Sequence, residues 1–343
     1  MTFTILVTCV GGDLGPQLMQ QLKLNSRHNL KVIGVDADLN ATGKFFCDEF
    51  SVVPHGDSSN YVAEINKLIL LHNIDLVIPT SDEEAISLTS SREKIEINGC
   101  KLACVDSTTI EILSDKAKTY QFLKDKGVHV PVTKIIKDYD TLRVNVEEMY
   151  KDFGSFVLKP SVARGGRGVY IVSSLFKGIQ YFDNKREIHC DFETFNSKLI
   201  GNLKDDFPLI LMEKLNEPVI DIDLLAWKGV AKRIVSRKRV NSAVPNDGHI
   251  IIMDKSLREL ANKLIEIFQL SWLYDCDVMY DSKGNPCVLE LNPRQSGSIS
   301  VSIAAGIPML DDLISLAKGE PIEQIRLPVN KRVIPYKSLQ LIK

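Results

Sequence analysis

Four apolar runs near the start of the chain alternate with amphipathic helical segments, and this alternation is the strongest constraint on the fold. The apolar runs span 2–10, 30–38, 74–80 and 100–106, and helical patterns cover 11–23, 60–73 and 82–96. Alternation of strand and helix requires parallel strands with helices on both faces of the sheet. Ligands of such sheets bind at the carboxyl ends of the strands. The sequence therefore predicts a parallel-sheet domain over residues 1–112 with a ligand-binding edge.

The pattern changes near residue 113. Residues 114–127 predict a helix that Ser114 or Asp115 caps at the start and Gly127 ends. Short strands then follow one another, which indicates an α+β region with antiparallel sheet. The predicted domains are 1–112, 113–207 (linker helix and small subdomain) and 208–343 (large subdomain).

Composition argues against several classes of protein. Of 343 residues, 42 are Lys or Arg and 44 are Asp or Glu, so the net charge is −2. A dedicated nucleic-acid binder normally carries a basic surplus. The chain shows neither a signal peptide nor an apolar stretch of the roughly 18–20 residues that cross a bilayer. Seven cysteines without metal-ligand spacing fit reduced, buried thiols. We expect a cytoplasmic protein that binds neither nucleic acid nor membrane.

Three loops at the ligand-binding edge carry residues suited to ligand binding: Gly11 to Gly15, Asp36 with Asp38, and Thr80 to Glu83. Gly11 and Gly12 lie in a glycine-rich turn after the first strand, and Asp82 and Glu83 follow the third. The glycines resemble a dinucleotide fingerprint, but Val10 stands where its first glycine belongs. Three explanations stay open: an anion site on the substrate side made by backbone N–H groups, a purely structural turn, and NAD(P) binding.

A glycine-rich hairpin lies between two short strands of the middle third. Lys159 ends the first strand, and the second begins at Gly168. Between them, Gly165 and Gly166 allow close approach of the backbone, and Arg164 adds positive charge. Unencumbered N–H groups with a lysine at the base suit a polyphosphate. On this segment alone, a flexible surface hairpin fits equally well.

Two acids and an amide share one face of a predicted hairpin near the C-terminus. Glu290 and Asn292 are two residues apart on a strand, so they point to the same side. A two-residue turn at 283–284 places Asp277 opposite Glu290, and a turn at 284–285 places it opposite Asn292. Carboxylates this close repel unless a cation lies between them, and all-oxygen ligands favour Mg²⁺. Solvated polar residues on an exposed face are the alternative.

The order of these motifs resembles the ATP-grasp superfamily over essentially the whole chain. A lysine just inside the linker helix (Lys116) precedes K-P-x(4)-G-G-x-G, which begins at Lys159. A strand ending in Glu-Lys-Leu at 213–215 follows, and E-x-N-P-R closes the set at 290–294. The chain is most similar to the group that holds biotin carboxylase, the halves of carbamoyl-phosphate synthase and small carboxylate–amine ligases.

The resemblance implies an α/β ATP-grasp fold that is α+β in its C-terminal half. An N-terminal Rossmann-like domain, a mobile lid subdomain and a C-terminal antiparallel-sheet domain are expected. The implied ATP contacts are the phosphate lysines Lys116 and Lys159, the lid residues Arg164, Gly165, Gly166 and Gly168, and the adenine-side residues Glu213, Lys214 and Leu215. The family's ribose-binding glutamate is replaced by Val219, so Asp221 or Glu217 is expected to make that contact.

The resemblance also assigns the metal and the reaction. Asp277, Glu290 and Asn292 would bind Mg²⁺, or Mn²⁺ in its place, while Lys159 and Arg294 would act on the transferring phosphate. ATP would convert a carboxylate to an acyl phosphate, which an amine then attacks. Carbamoyl-phosphate-synthase-like chemistry is the first alternative, and an NAD(P)-dependent oxidoreductase is the second. Small-molecule carboxylates and amines are the expected partners, with a homodimer as in many relatives.

The substrate pocket is expected to combine the C-terminal sheet with Gly11, Gly12, Asp82 and Glu83. Arg237 and Arg239 alternate onto one face of a basic strand, where they would bind a substrate carboxylate or phosphate. A solvated strand edge that discourages edge pairing explains them nearly as well. His249 is interpreted as a loop histidine with satisfied hydrogen bonds.

Overall fold

The computed structural model describes residues 2–162, 168–182, 187–203, 207–242, 244, 246–336 and 339. Arg164, Gly165 and Gly166 lie outside the described residues, so their contacts stay predictions. The chain divides into two units: Met1–Glu111, Pro218–Asp277 and Leu291–Lys343 form the first, and Ile112–Glu217 and Val278–Glu290 form the second. No helix in the described part is long and apolar enough to cross a membrane.

The first unit contains the expected parallel sheet. Its strands are β1 (Phe3–Val7), β2 (Leu30–Asp36), β3 (Glu49–Val52), β4 (Leu76–Ile78) and β5 (Lys101–Leu102). They lie in the order β3-β2-β1-β4-β5, and all neighbouring pairs are parallel. Its helices are α1 (Gly15–Asn25), α2 (Tyr61–His72), α3 (Asp82–Ser90) and α4 (Arg92–Ile95), and α5 (Ser107–Leu113) follows. Sequence patterns missed β3 because its residues are exposed or half-buried and give no apolar run.

The second unit is built around a six-stranded sheet. Its strands are β6 (Thr133–Ile136), β7 (Ser155–Pro160), β8 (Val169–Ser173), β9 (Ile179–Phe182), β10 (Glu187–Cys190) and β11 (Leu209–Glu213), in the order β6-β11-β7-β8-β10-β9. The helices are α6 (Lys116–Asp125), α7 (Tyr139–Phe153) and the short α8 (Phe192–Thr194). Asp115 caps α6 by accepting the N–H of Ala117 at 2.8 Å, so the predicted linker helix is confirmed.

Alternation along β7 separates a core face from a face that carries Lys159. Phe156 and Leu158 are fully buried in the main cluster of this unit, together with residues of α7. Val157 packs in a second, smaller apolar cluster with Tyr120 of α6. Because successive side chains of a strand point to opposite faces, Lys159 lies on the same side as Val157.

A third sheet has the order β16-β15-β12-β13-β14-β17. Its strands are β12 (Asn216–Trp227), β13 (Val230–Arg239), β14 (His249–Ile252), β15 (Trp272–Tyr280), β16 (Pro286–Asn292) and β17 (Arg332–Val333), and the helices α9 (Lys255–Ile267), α10 (Ile299–Ala304) and α11 (Met309–Lys318) accompany it. The pairs β12–β13, β13–β14 and β14–β17 are antiparallel. The predicted α/β fold with an antiparallel C-terminal sheet is confirmed. His249 begins β14 and does not lie in a loop.

The turn between β15 and β16 is longer than either predicted turn. Asp281 donates its N–H to the carbonyl of Asn285 at 3.0 Å and accepts the N–H of Gly284 at 3.1 Å, so three residues form the loop. Gly284 has a φ of +81°. The Asp281 carboxylate accepts the N–H groups of Lys283 and Asn285 at 2.8 Å each, which favours this longer loop. The two-residue turns were wrong, and the predicted register of Asp277 loses its basis.

Glu84 is a buried acid at the carboxyl edge of the parallel sheet. It is 6% exposed and accepts the hydroxyl of Thr8 at 2.5 Å. Burial is the main cause that raises the pKa of Glu84 to about 7, against the hydrogen bonds from Thr8 and Ser81. Because the folded protein holds this proton more tightly than the unfolded chain, stability is greatest below the unfolded pKa and falls as the pH rises.

We expect the free energy of unfolding of the wild-type protein to fall by about 3 kcal/mol, because of Glu84, as the pH rises from about 4.5 to about 7. Glu84→Gln keeps the shape of the neutral acid and should flatten this part of the profile. Calorimetric melting temperatures across pH 4.5–8 measure the difference. Glu93→Gln, an exposed change on α4, is the control. A Glu84→Gln profile as steep as that of the wild type would show that another group causes the loss.

Candidate nucleotide and metal site

Helix α6 brings two of the predicted site residues together in the second unit. Lys116 is the first residue of the helix, directly after the Asp115 cap. Its Nζ lies 2.9 Å from Oε1 of Glu290, and the lysine side chain is only 15% exposed. A predicted phosphate contact and a predicted metal ligand are therefore neighbours. Their separation of more than a hundred residues in sequence gave no sign of this pairing.

The second phosphate lysine lies at the end of β7. Lys159 is paired with Ile210 of β11. Its Nζ donates a hydrogen bond to Oη of Tyr120 at 3.0 Å. Tyr120 follows Lys116 by four residues on α6, which places both on the same face of the helix. The sequence reasoning missed Tyr120, whose position in the helical pattern is that of an ordinary apolar residue.

The strand end expected to meet adenine is anchored to the chain before β6. Glu213 donates its N–H to the carbonyl of Val132 at 3.0 Å and accepts the N–H of Val132 through Oε1 at 2.9 Å. Leu215 is 3% exposed, and Lys214 is half-buried. These bonds fix the backbone that the prediction assigns to the adenine edge, and that assignment stays a prediction.

In the first unit, three carboxylates gather where the metal was expected. Asp221 of β12 and Asp275 and Asp277 of β15 each offer an oxygen within 4.8 Å of the others. Asn292 donates its amide N–H to Asp275 at 3.0 Å, which leaves the amide oxygen as the ligating end. Asp275 is missing from the predicted set. It lies two residues before Asp277 on the same strand, so strand periodicity could have indicated it.

Two arginines contact this carboxylate cluster. Arg239 donates from Nε to Asp221 at 2.9 Å and from Nη2 to Asp277 at 2.9 Å. Arg294 lies 3.6 Å from Asp275, and its Nε is 3.0 Å from the carboxylate of Asp82. The predicted substrate residues Arg239 and Asp82 and the predicted catalytic Arg294 thus belong to one charged network of the first unit.

Two residues that were predicted to contact ligands form hydrogen bonds with other side chains of the protein. Arg237 is fully buried and holds Asp223 with two hydrogen bonds of 2.8 Å. Asp221 is 2% exposed and also bonds His249 at 2.6 Å. These contacts do not favour substrate binding by Arg237 or ribose binding by Asp221, and both assignments stay predictions. The interpretation of His249 as a histidine with satisfied hydrogen bonds holds for Nε2 only, because its Nδ1 is buried and has no hydrogen-bond partner among the described residues.

The glycine turn after β1 uses its N–H groups internally. Gly11 donates to the Asp36 carboxylate at 2.7 Å, and Gly12 donates to the carbonyl of Cys9 at 3.3 Å. Gly15 donates in turn to the carbonyl of Gly12 at 2.8 Å. Of the three explanations that the sequence left open, this geometry favours the structural turn over an anion or NAD(P) site. Glu83, the remaining predicted substrate residue, lies in the first turn of α3.

The carboxylate cluster carries an electrostatic strain that a cation would relieve. Burial is the main cause that raises the pKa of Asp275 to about 7, and the Asp221 charge adds to it while Arg294 opposes it. Burial likewise raises the pKa of Asp277, against the charge of Arg239. For Asp221 burial is outweighed by the His249 hydrogen bond and by Arg239, so its pKa lies below the usual range.

Two oxygens of the cluster are available to a metal. The Oδ1 atoms of Asp275 and Asp277 are buried, and neither has a hydrogen-bond partner among the described residues. Buried oxygens without partners cost free energy that coordination recovers. Carboxylate and amide oxygens are the ligands of Mg²⁺. The residues of the first unit therefore fit a magnesium ion.

Comparison with known proteins bears on the family resemblance that the motif order indicated. Residues 205–340 match a family model described as ATP-grasp in the biosynthetic pathway with Ter operon. Residues 5–103 match the PylC-like N-terminal domain. The C-terminal part of the chain is therefore similar to ATP-grasp proteins and its N-terminal part to a PylC-like domain, as the motif order indicated.

Individual relatives are distant. An uncharacterized protein of Methanocaldococcus jannaschii is 25% identical over 80% of this chain and 64% of its own length. Carbamoyl-phosphate synthase of Methanobrevibacter smithii is 24% identical over 90% of this chain and 80% of its own. The structure of N5-carboxyaminoimidazole synthetase from Staphylococcus aureus complexed with ADP has a TM-score of 0.68 at 18% identity, covering 96% of this chain and 81% of that one. The structural likeness shows a shared fold. The chain spans less than two thirds of the first relative.

Removal of one carboxylate should weaken metal binding. In Asp277→Asn we expect the affinity for Mn²⁺, titrated calorimetrically with ADP present, to fall at least ~10-fold, because a charged oxygen ligand is lost. Arg239 keeps its bonds to Asp221 in this variant, so the fold should persist. Asp57→Asn, a change at an exposed position, is the matched control. Equal affinities in both variants would remove Asp277 from the metal site.

Proposed function

We propose that the protein is an ATP- and Mg²⁺-dependent ligase that activates a carboxylate as an acyl phosphate and joins it to an amine. The observation that carries the proposal is the convergence on α6 of two lysines from separate sequence motifs. Lys116 lies 2.9 Å from Glu290, and Lys159 lies 3.0 Å from Tyr120. These are the motif positions at which the ATP-grasp pattern places its phosphate-binding cations.

The proposed reaction gives each site residue a role. A carboxylate oxygen attacks the γ-phosphorus of ATP, giving an acyl phosphate and ADP. An amine then attacks the acyl carbon and expels phosphate, losing one proton as the C–N bond forms. Lys116 and Lys159 bind phosphate oxygens, and Arg294 binds the acyl phosphate. Asp277, Glu290 and Asn292, joined by Asp275, are the residues that would hold Mg²⁺, which would offset part of the negative charge of the triphosphate.

The identity of the carboxyl donor has two candidates. A small organic carboxylate is the first. Bicarbonate is the second, because a matched relative is a carbamoyl-phosphate synthase and a protein of the same fold is an N5-carboxyaminoimidazole synthetase. Both candidates share the acyl phosphate and the nitrogen nucleophile. A cytoplasmic location, small-molecule partners and a homodimer belong to the same proposal.

Release of ADP with Mg-ATP tests the proposal. We expect release to require both a carboxylate, from a panel that includes bicarbonate, and an amine. Lys159→Ala and Glu290→Ala should lower kcat/KM by roughly two orders of magnitude or more, because charges that stabilise the transferring phosphate are lost. Lys118→Ala, an exposed lysine on the same helix, should behave as the wild type.

The outcomes separate the parts of the proposal. Activity with bicarbonate as the one effective carboxylate of the panel, in the presence of an amine, would identify bicarbonate as the carboxyl donor. Wild-type rates in both Lys159→Ala and Glu290→Ala would remove these residues from the site. Failure of the wild-type protein to bind Mg-ATP in calorimetry would refute the ligase itself.

A further inference from the structure

Tyr120 belongs to the apolar packing of the second unit through its ring. It is 3% exposed and packs with Ile210 and Met212 of β11, next to Val157 of β7 and Leu289 of β16. Such packing holds the ring in one place, because a buried aromatic side chain has few ways to move. The hydroxyl at its tip is therefore fixed as well.

The hydrogen bonds of this hydroxyl have a defined direction. Oη of Tyr120 donates to the carbonyl oxygen of Leu289 at 2.6 Å. A phenol has a single hydrogen, so its oxygen presents only lone pairs to Nζ of Lys159 at 3.0 Å. Burial raises the pKa of Tyr120 above its usual range, so the hydroxyl stays protonated and neutral.

A neutral acceptor has a specific advantage at a phosphate site. It takes one N–H of the ammonium group without cancelling the positive charge, whereas a carboxylate would neutralise it. A lysine side chain has four rotatable bonds, and fixing it costs up to about 2 kcal/mol of rotamer entropy. If Tyr120 orders Lys159 before the nucleotide binds, this rotamer entropy is not lost during binding, and the affinity is higher.

Helix α6 also contacts strand β16 at two consecutive residues, Leu289 and Glu290. Lys116, one turn before Tyr120, lies 2.9 Å from Glu290, and Tyr120 bonds the carbonyl of the preceding Leu289. Helix α6 therefore contacts two consecutive residues of β16 and the end of β7.

We infer that Tyr120 is a positioning residue that holds the Lys159 ammonium group in place for a phosphate of the bound nucleotide. The inference rests on the proposed function. It assigns to Tyr120 an effect on nucleotide affinity that is transmitted through Lys159.

A double-mutant cycle tests the inference. Tyr120→Phe keeps the ring and removes the hydroxyl, and we expect the Kd for Mg-ATP to rise roughly tenfold, as for loss of a hydrogen bond to a charged group. In a Lys159→Met background the same substitution should change Kd less than about twofold. Tyr150→Phe, at a tyrosine that stacks on Phe192 of the same unit, is the matched control and should leave Kd unchanged.

A labelling experiment gives a readout that needs no nucleotide. Acylation of lysines by a small reagent, followed by peptide mass spectrometry, should modify Lys159 several times faster in Tyr120→Phe than in the wild type. Lys118 is the internal standard. Faster labelling with no nucleotide binding by the wild type would support the contact and refute the proposed function. Equal effects of Tyr120→Phe in both backgrounds, or an unchanged Kd and labelling rate, would overturn the positioning role.

Discussion

The contact on which the first unit depends most is the buried ion pair between Arg237 and Asp223. Both side chains are 0% exposed, and the guanidinium meets the carboxylate with two hydrogen bonds of 2.8 Å. Ser298 and Ser302 fill the remaining hydrogen-bonding positions at 2.7 and 2.5 Å. Loss of one partner from such a pair costs about 3–5 kcal/mol, because the other charge stays buried without compensation. The pair therefore fixes how β12 and β13 lie against each other.

The next charged residues on the same faces of β12 and β13 belong to the carboxylate cluster or contact it. Asp221 is two residues before Asp223, and Arg239 is two residues after Arg237, so both follow the same faces. Arg239 must then serve Asp221 and Asp277 together. Arg237 and Asp223 neutralise each other. The carboxylate cluster next to them has more carboxylates than Arg239 and Arg294 neutralise. An excess of negative charge built on a rigid, satisfied pair is what a divalent cation requires.

The sequence could predict what depends on local pattern. Apolar runs revealed the parallel strands, and the Asp115 cap revealed α6. It could not predict that Arg237 bonds Asp223, because alternation tells which face a residue occupies but not what lies opposite. The turn after β15 failed for a related reason. Asp281 folds its carboxylate back onto the backbone, and that bond outweighs the preference for a two-residue turn.

Tyr120 shows why one residue can escape both kinds of prediction. Its position on α6 reads as part of an apolar stripe, and its ring does pack as such. The hydroxyl, however, ends at Lys159 and at the backbone of β16. A phenylalanine would satisfy the helix pattern and the packing equally well, so neither accounts for the oxygen. The oxygen bonds both the Leu289 carbonyl and Lys159, and its second bond connects the packing of the second unit to the chemistry proposed for it.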